Sequence, residues 1–202
     1  GLEASTIYLN GGKTTIKSSD DGINAGGGND SSSMSRPGAN QFSNNNYKII
    51  ITGGYYMVDS DGDGIDSNGI IEMSDGTLII EGPTDNGNGA IDYDGSFNLT
   101  GGILIAIGSS GMMQVPSNTS TQNSIVLSFS SQSETSGIQI TKNDGTEIIT
   151  YIPTKRYSSL IFSSPTLNQN EQYSIYLNGT TSENQKGLIE NANFQNGTLL
   201  TT

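Results

Sequence analysis

Ile49-Ile50-Ile51-Thr52-Gly53-Gly54, followed by the β-prone run 55–58, is one of four segments built alike. The others are Ile7-Tyr8-Leu9-Asn10-Gly11-Gly12, Ile71-Glu72-Met73-Ser74-Asp75-Gly76 and Phe97-Asn98-Leu99-Thr100-Gly101-Gly102. Each is a short β-prone strand, a Gly-Gly or Asp-Gly turn, and a second β-prone run (14–17, 77–80 and 103–107 in the other three). The second turn glycines, Gly12, Gly54, Gly76 and Gly102, are separated by 42, 22 and 26 residues. Two of those intervals fit single coils of a solenoid, whose repeats run about 20–50 residues. One coil cannot bury its own apolar edge, but stacked coils pair their strands in parallel and bury a continuous Ile/Leu/Val column. Glycine supplies the positive φ the corners need. The period-2 runs and the glycine content exclude a helical reading. The pattern predicts a parallel β-helix over residues 1–116, with the polar stretch 29–46 thrown out as a loop from one coil.

From about residue 117 the pattern changes. Runs at 123–130, 137–141, 147–152, 159–162 and 173–177 read as antiparallel strands, and Asn143-Asp144-Gly145 is a hairpin signal. Residues 193–200 suit one more edge strand. The expected role of 117–202 is to cap the open end of the solenoid.

The bulk composition narrows the function. The chain has 202 residues, no Cys, His or Trp, a net charge of -12, 32% hydrophobic and 14% charged residues. Without His, both the neutral-pH proton shuttle and the usual zinc ligand are missing. With only 8 Lys and Arg against 20 Asp and Glu, the chain is a poor partner for nucleic acid and a good one for cations. No apolar run approaches the roughly 20 residues of a membrane span. The opening Gly1-Leu2-Glu3-Ala4 reads like the interior of a repeat, so a mature or trimmed product is expected, with an open N-terminal edge through which copies could stack.

Three Gly-rich acidic turns carry the candidate chemistry. They are Ser18-Ser19-Asp20-Asp21-Gly22-Ile23-Asn24, Asp59-Ser60-Asp61-Gly62-Asp63-Gly64-Ile65-Asp66-Ser67-Asn68-Gly69 and Asp85-Asn86-Gly87-Asn88-Gly89-Ala90-Ile91-Asp92-Tyr93-Asp94-Gly95. Aligned on Ile23, Ile65 and Ile91, they form columns: Asn24 with Asp66 and Asp92, Asp21 with Asp63, Asn68 with Asp94, and Asp59 with Asp85. Equivalent positions in neighbouring coils lie about 4.8 Å apart. Carboxylates so stacked repel unless neutralised, and Ca²⁺ does this with about 6–8 oxygen ligands. The candidate ligands are Asp20, Asp21, Asn24, Asp59, Asp61, Asp63, Asp66, Asn68, Asp85, Asp92 and Asp94, and several ions are expected. The competing reading is that Asp-Gly and Asn-Gly are simply good turn formers. The 59–68 run also resembles the start of an EF-hand loop, but Ile70 stands where the bidentate Glu would be.

The runs Ser-Ser-Asp-Asp-Gly-Ile-Asn-Ala, Asp-Gly-Asp-Gly-Ile-Asp-Ser-Asn-Gly and Asn-Gly-Asn-Gly-Ala-Ile-Asp-Tyr-Asp-Gly resemble a bacterial family of secreted carbohydrate-binding β-helix proteins. The likeness extends to about residue 180. It implies an all-β, right-handed parallel β-helix with a C-terminal antiparallel β cap, several bound Ca²⁺ ions and an extracellular location. It also implies affinity for cellulose and for acidic plant polymers such as polygalacturonate, and structural similarity to family nine pectate lyases. Members are longer at the N-terminus.

Calcium-dependent polysaccharide binding without turnover is therefore the expected function. Tyr93, between two candidate ligands, is placed to stack on a sugar, with Lys17 beside the columns. Tyr8, Tyr55 and Tyr56 are expected to pack in the stack. A pectate-lyase-like β-elimination would need a base, for which Lys17 is the only candidate near the columns. Neighbouring carboxylates would raise its pKa and disfavour that role. A structural or adhesive subunit stacking end to end is the third alternative.

Overall fold

The computed structural model describes residues 1–26, 47–181, 186–189 and 192–202. The loop expected at 29–46 lies outside them. The described residues are all-β, with both parallel and antiparallel sheets. Among them no helix is long and apolar enough to cross a membrane.

The first half runs β1 (Leu2–Glu3), β2 (Thr6–Ser18), β3 (Ile23–Ala25), β4 (Lys48–Ser60), β5 (Ile65–Ser67), β6 (Ile70–Glu81), β7 (Ile91–Tyr93), β8 (Ser96–Leu99) and β9 (Ile103–Gly108). Long and three-residue strands alternate. β2, β4 and β6 pair in parallel; β8 and β9 then take the first and second halves of β6. Midway along each long strand, and between β8 and β9, stands a turn glycine with positive φ: Gly12 (81°), Gly54 (95°), Gly76 (91°) and Gly102 (84°). Stacking reinforces the requirement, because a Cβ on Gly76 would sit 2.9 Å from the Gly53 carbonyl carbon.

The short strands form a second parallel sheet, β1-β3-β5-β7. Its register puts Leu2, Ile23, Ile65 and Ile91 in one row. The long strands supply matching rows: Ile7, Ile49, Ile71 and Phe97; Leu9, Ile51, Met73 and Leu99; Ile16, Val58, Ile80 and Ala106. Apart from Leu2, which is exposed, these rows converge into one apolar core between the two sheets. Burying a side chain of this size contributes roughly 1.5–3 kcal/mol, so a chain with few apolar residues folds by placing them in register.

The second half runs β10 (Ser124–Gln132), β11 (Gly137–Lys142), β12 (Glu147–Ile152), β13 (Tyr157–Ser163), β14 (Tyr173–Thr181), β15 (Gly187–Ile189), β16 (Phe194–Gln195) and β17 (Thr198–Thr201). The Asn143-Asp144-Gly145 hairpin joins β11 to β12, with Gly145 at φ 84°. β13 pairs antiparallel with β9, and β10 with β13, so these two prolong the long-strand sheet. β11, β12 and β14–β17 build a six-stranded antiparallel sheet. It packs on the outer flank of the long strands, where Ile79, Ile105 and Ile107 join Ile138, Ile140, Tyr151 and Ile175 in a second core. The second half of β6, from Leu78, and β9 are therefore buried on both faces, which is why their apolar residues run on without alternation.

Candidate functional site

The row next to the core isoleucines is Glu3, Asn24, Asp66 and Asp92, each paired in register with the next. Side chains alternate across a strand, so Ile23, Ile65 and Ile91 point into the core while this row faces outward. Two residues further on, Asn68 and Asp94 hold equivalent places, their N–H groups donating to Ala25 and Ser67 carbonyls at 3.3 and 3.0 Å.

Asp21 and Asp63 also stack, and their carboxylates knit the levels together. Asp21 Oδ1 accepts the Asp63 N–H at 2.8 Å, and Asp63 Oδ1 accepts the Gly89 N–H at 2.6 Å. Asn24 Nδ2 donates to Asp21 Oδ2 at 2.9 Å, leaving the buried Asn24 Oδ1 without a donor. Gln114 completes the far end: its Nε2 donates to Asp92 Oδ1 and its Oε1 accepts the Tyr93 N–H.

These carboxylates are electrostatically crowded. Burial, then the neighbouring charges of Asp92, Asp21, Asp63 and Asp94, pushes Asp66 up to about 7. Burial raises Asp63 to about 6 against the pull of the Gly89 N–H, and burial also raises Asp92. Among the described residues, no Lys or Arg pairs with Asp21, Asp63, Asp66, Asp92 or Asp94.

Asp59 and Asp61 belong to a different arrangement. Asp59 lies in register with Lys17 and Glu81, not with Asp85, because the turn from Glu81 to Ile91 is longer than that from Asp59 to Ile65. Lys17 Nζ reaches Asp59 Oδ2 at 3.0 Å; Lys155 Nζ reaches Asp59 Oδ1 at 3.2 Å and Asp61 Oδ1 at 3.4 Å. Both carboxylates already have cations of the protein's own. Next to them Glu81, fully buried, accepts from Tyr151 Oη at 2.7 Å, from the Thr154 N–H at 2.8 Å and from the Thr154 hydroxyl. Thr154 and Lys155 thus fasten the β12–β13 connection onto the long strands. Neither Lys155 nor Glu81 was legible as functional, since their partners lie 70–95 residues away. Asp85 is taken by its own turn, accepting the Gly87 N–H at 2.8 Å, and Asp20 is exposed at a turn tip.

Tyr55 and Tyr56 pack on the cores as expected, whereas Tyr93 and Tyr8 depart from the expectation. Tyr93 packs against the first core and donates its hydroxyl to the Val115 carbonyl at 2.8 Å, so its ring is not free to stack on a sugar. Tyr56 is buried, and Tyr55 lies under Lys13 Nζ at 5.1 Å from its centroid. Tyr8 is 63% exposed, on the outer face of β2. Lys17 is open to solvent and paired with Asp59, which raises its pKa; it is a counter-charge.

The all-oxygen donor set, the donorless Asn24 Oδ1 and the crowded carboxylates fit a hard divalent cation. Among the described residues, no group of three or more His, Cys, Asp or Glu side chains converges on one point. Any ion on the row would draw on two carboxylates at most, together with amide and backbone oxygens. No protein-family model, curated protein or solved structure matches the chain.

Proposed function

We propose that this chain is a secreted, extracellular right-handed parallel β-helix that binds calcium along the row Asn24, Asp66 and Asp92, and uses it to hold an acidic polysaccharide without turning it over. The alternation of long and short strands, each in parallel register with its counterpart, supports the β-helix. The observation that carries the function is the contrast between two acidic sets. Asp59 and Asp61 are neutralised from within by Lys17 and Lys155. Asp63, Asp66 and Asp92 crowd one another, with carboxyl groups held above their ordinary range.

Asp66, Asp92 and Asn24 Oδ1 would hold the ion, with Asp63 and Asp94 adjoining. Calcium supplies positive charge and open coordination positions, which suit the carboxylate of a uronate polymer. The chain's own residues prepare the site. Gln114 orients Asp92, and the Asp21 and Asp63 staples fix the spacing of the levels. The outward face of the row lets a polymer reach it, and Tyr8 offers an exposed ring elsewhere on the same stack. A β-elimination role is disfavoured because Asp59 holds Lys17 protonated.

Retention on polygalacturonate, with calcium and with chelator, tests this. The wild type should bind only with calcium, and an Asp66→Asn/Asp92→Asn variant should bind at least tenfold more weakly while melting cooperatively. Equal retention by both proteins in chelator would refute the calcium bridge. Unsaturated product accumulating, read by its ultraviolet absorbance, would refute the non-catalytic reading.

A further inference from the structure

β10 is the outermost strand of the long-strand sheet, so among the described residues one of its edges is unpaired. Open edges are normally blunted by charge, proline, bulges or brevity. The other edges of this molecule follow that rule. β2 carries Lys13 and Lys17, and β1, β15, β16 and β17 are only two to four residues long. β10 has an irregularity only in its second half: its nine residues, Ser-Ile-Val-Leu-Ser-Phe-Ser-Ser-Gln, hold no charge and no proline, in a chain of net charge -12. Residues 124 to 128 pair with β13 in unbroken register, and the irregularity comes only after Ser128.

The inner side chains Ile125, Leu127 and Phe129 pack on the second core but are only partly covered, and Val126 on the other face is 38% exposed. The regular segment Ser124-Ile125-Val126-Leu127-Ser128 reads the same in polarity from either end. We propose that the free edge of β10 pairs antiparallel with β10 of a second copy of this chain, about a two-fold axis through Val126. That register sets Val126 against its own copy, Ile125 against Leu127 and Ser124 against Ser128. The half-covered inner side chains gain a cross-strand apolar neighbour, and no like charges meet despite the acidity of the chain. A strand from a different protein would need no such palindrome, which is why a second copy is the favoured occupant.

Light scattering across a concentration series should show a monomer passing to a dimer. Val126→Lys, which sets two ammonium groups face to face on the axis, should weaken association at least tenfold and, at dilutions where wild type is monomeric, leave the melting temperature unchanged. The chain has no cysteine, so Val126→Cys gives a second readout. Oxidation should link the dimer through Cβ atoms about 4.5–5.5 Å apart, whereas Ser130→Cys, displaced along the strand from its own copy, should not link. A monomer at every concentration, a Val126→Lys protein that dimerises like wild type, or Ser130→Cys linking as readily as Val126→Cys would each overturn the proposal.

Discussion

Asp66 stands directly beside Asp92 in the register of neighbouring parallel strands, and after burial the charge of Asp92 is what most raises the hold of Asp66 on its proton. Two carboxylates half withdrawn from water at strand spacing are a source of instability when both are ionised. Cation binding or protonation relieves it.

Stability should therefore depend on pH in a direction opposite to that of most acidic proteins. Asp66 and Asp63 have folded-state pKa values of about 7 and about 6, above the roughly 3.9 of an unfolded Asp. Below pH 4 both states hold these protons and the folded state bears no penalty. As pH rises through 6 and 7 the folded state must give them up, and that stability is lost. In chelator, thermal melts should show a higher transition at pH 5 than at pH 8, and calcium should shrink the difference. A rising transition from pH 5 to 8 in chelator would contradict the crowding.

Lys155 and Lys17 touch the same carboxylate with unequal consequence. Lys155 is 15% exposed and Lys17 84%. Removing a largely buried partner leaves Asp61 and much of Asp59 uncompensated, so Lys155→Met should cost about 2–3 kcal/mol. Lys17→Ala should cost less than about 1 kcal/mol, as exposed ion pairs do. Chemical denaturation of the two variants measures the gap, and equal losses would count against the clamp.

The turn glycines should be irreplaceable as a stack. Gly76→Ala brings a Cβ to 2.9 Å from backbone at a φ of 91°, and should cost well above the roughly 1–2 kcal/mol of left-handed strain alone. Gly145→Ala has comparable φ but open space around it, and should cost only that strain. Denaturation midpoints of the pair separate the stacking from the strain.

Much of this arrangement was legible in the chain. The spacing of Gly12, Gly54, Gly76 and Gly102 marks the positive-φ turns of the long strands, and alignment on Ile23, Ile65 and Ile91 yields the Asn24, Asp66 and Asp92 row. That alignment hid three-residue strands inside what read as turns, because so short a run has no visible period. It failed at Asp85, where an unequal turn length moves Glu81 into the place beside Asp59. The flank position of the antiparallel sheet had a signal: Leu78, Ile79 and Ile80 are consecutive apolar residues, as in a strand buried on both faces, although Ile49-Ile50-Ile51 carries the same run with Ile50 half-buried. Lys155 had none, because a tertiary ion pair leaves no local pattern. Tyr93 and Tyr8 could not be ranked without knowing which strand face each occupies.

The most direct test is calorimetric titration of calcium into chelator-treated protein, wild type against Asp66→Asn. For the wild type we expect saturable binding, and a hundredfold excess over Kd should stabilise the fold by about 2.7 kcal/mol. The Asp66→Asn protein should bind at least tenfold more weakly, yet melt higher than wild type in chelator at pH 8, because one of the repelling charges is gone. No calcium heat in wild type, or undiminished binding in Asp66→Asn, would mean that the acidic row is turn chemistry and not a cation site.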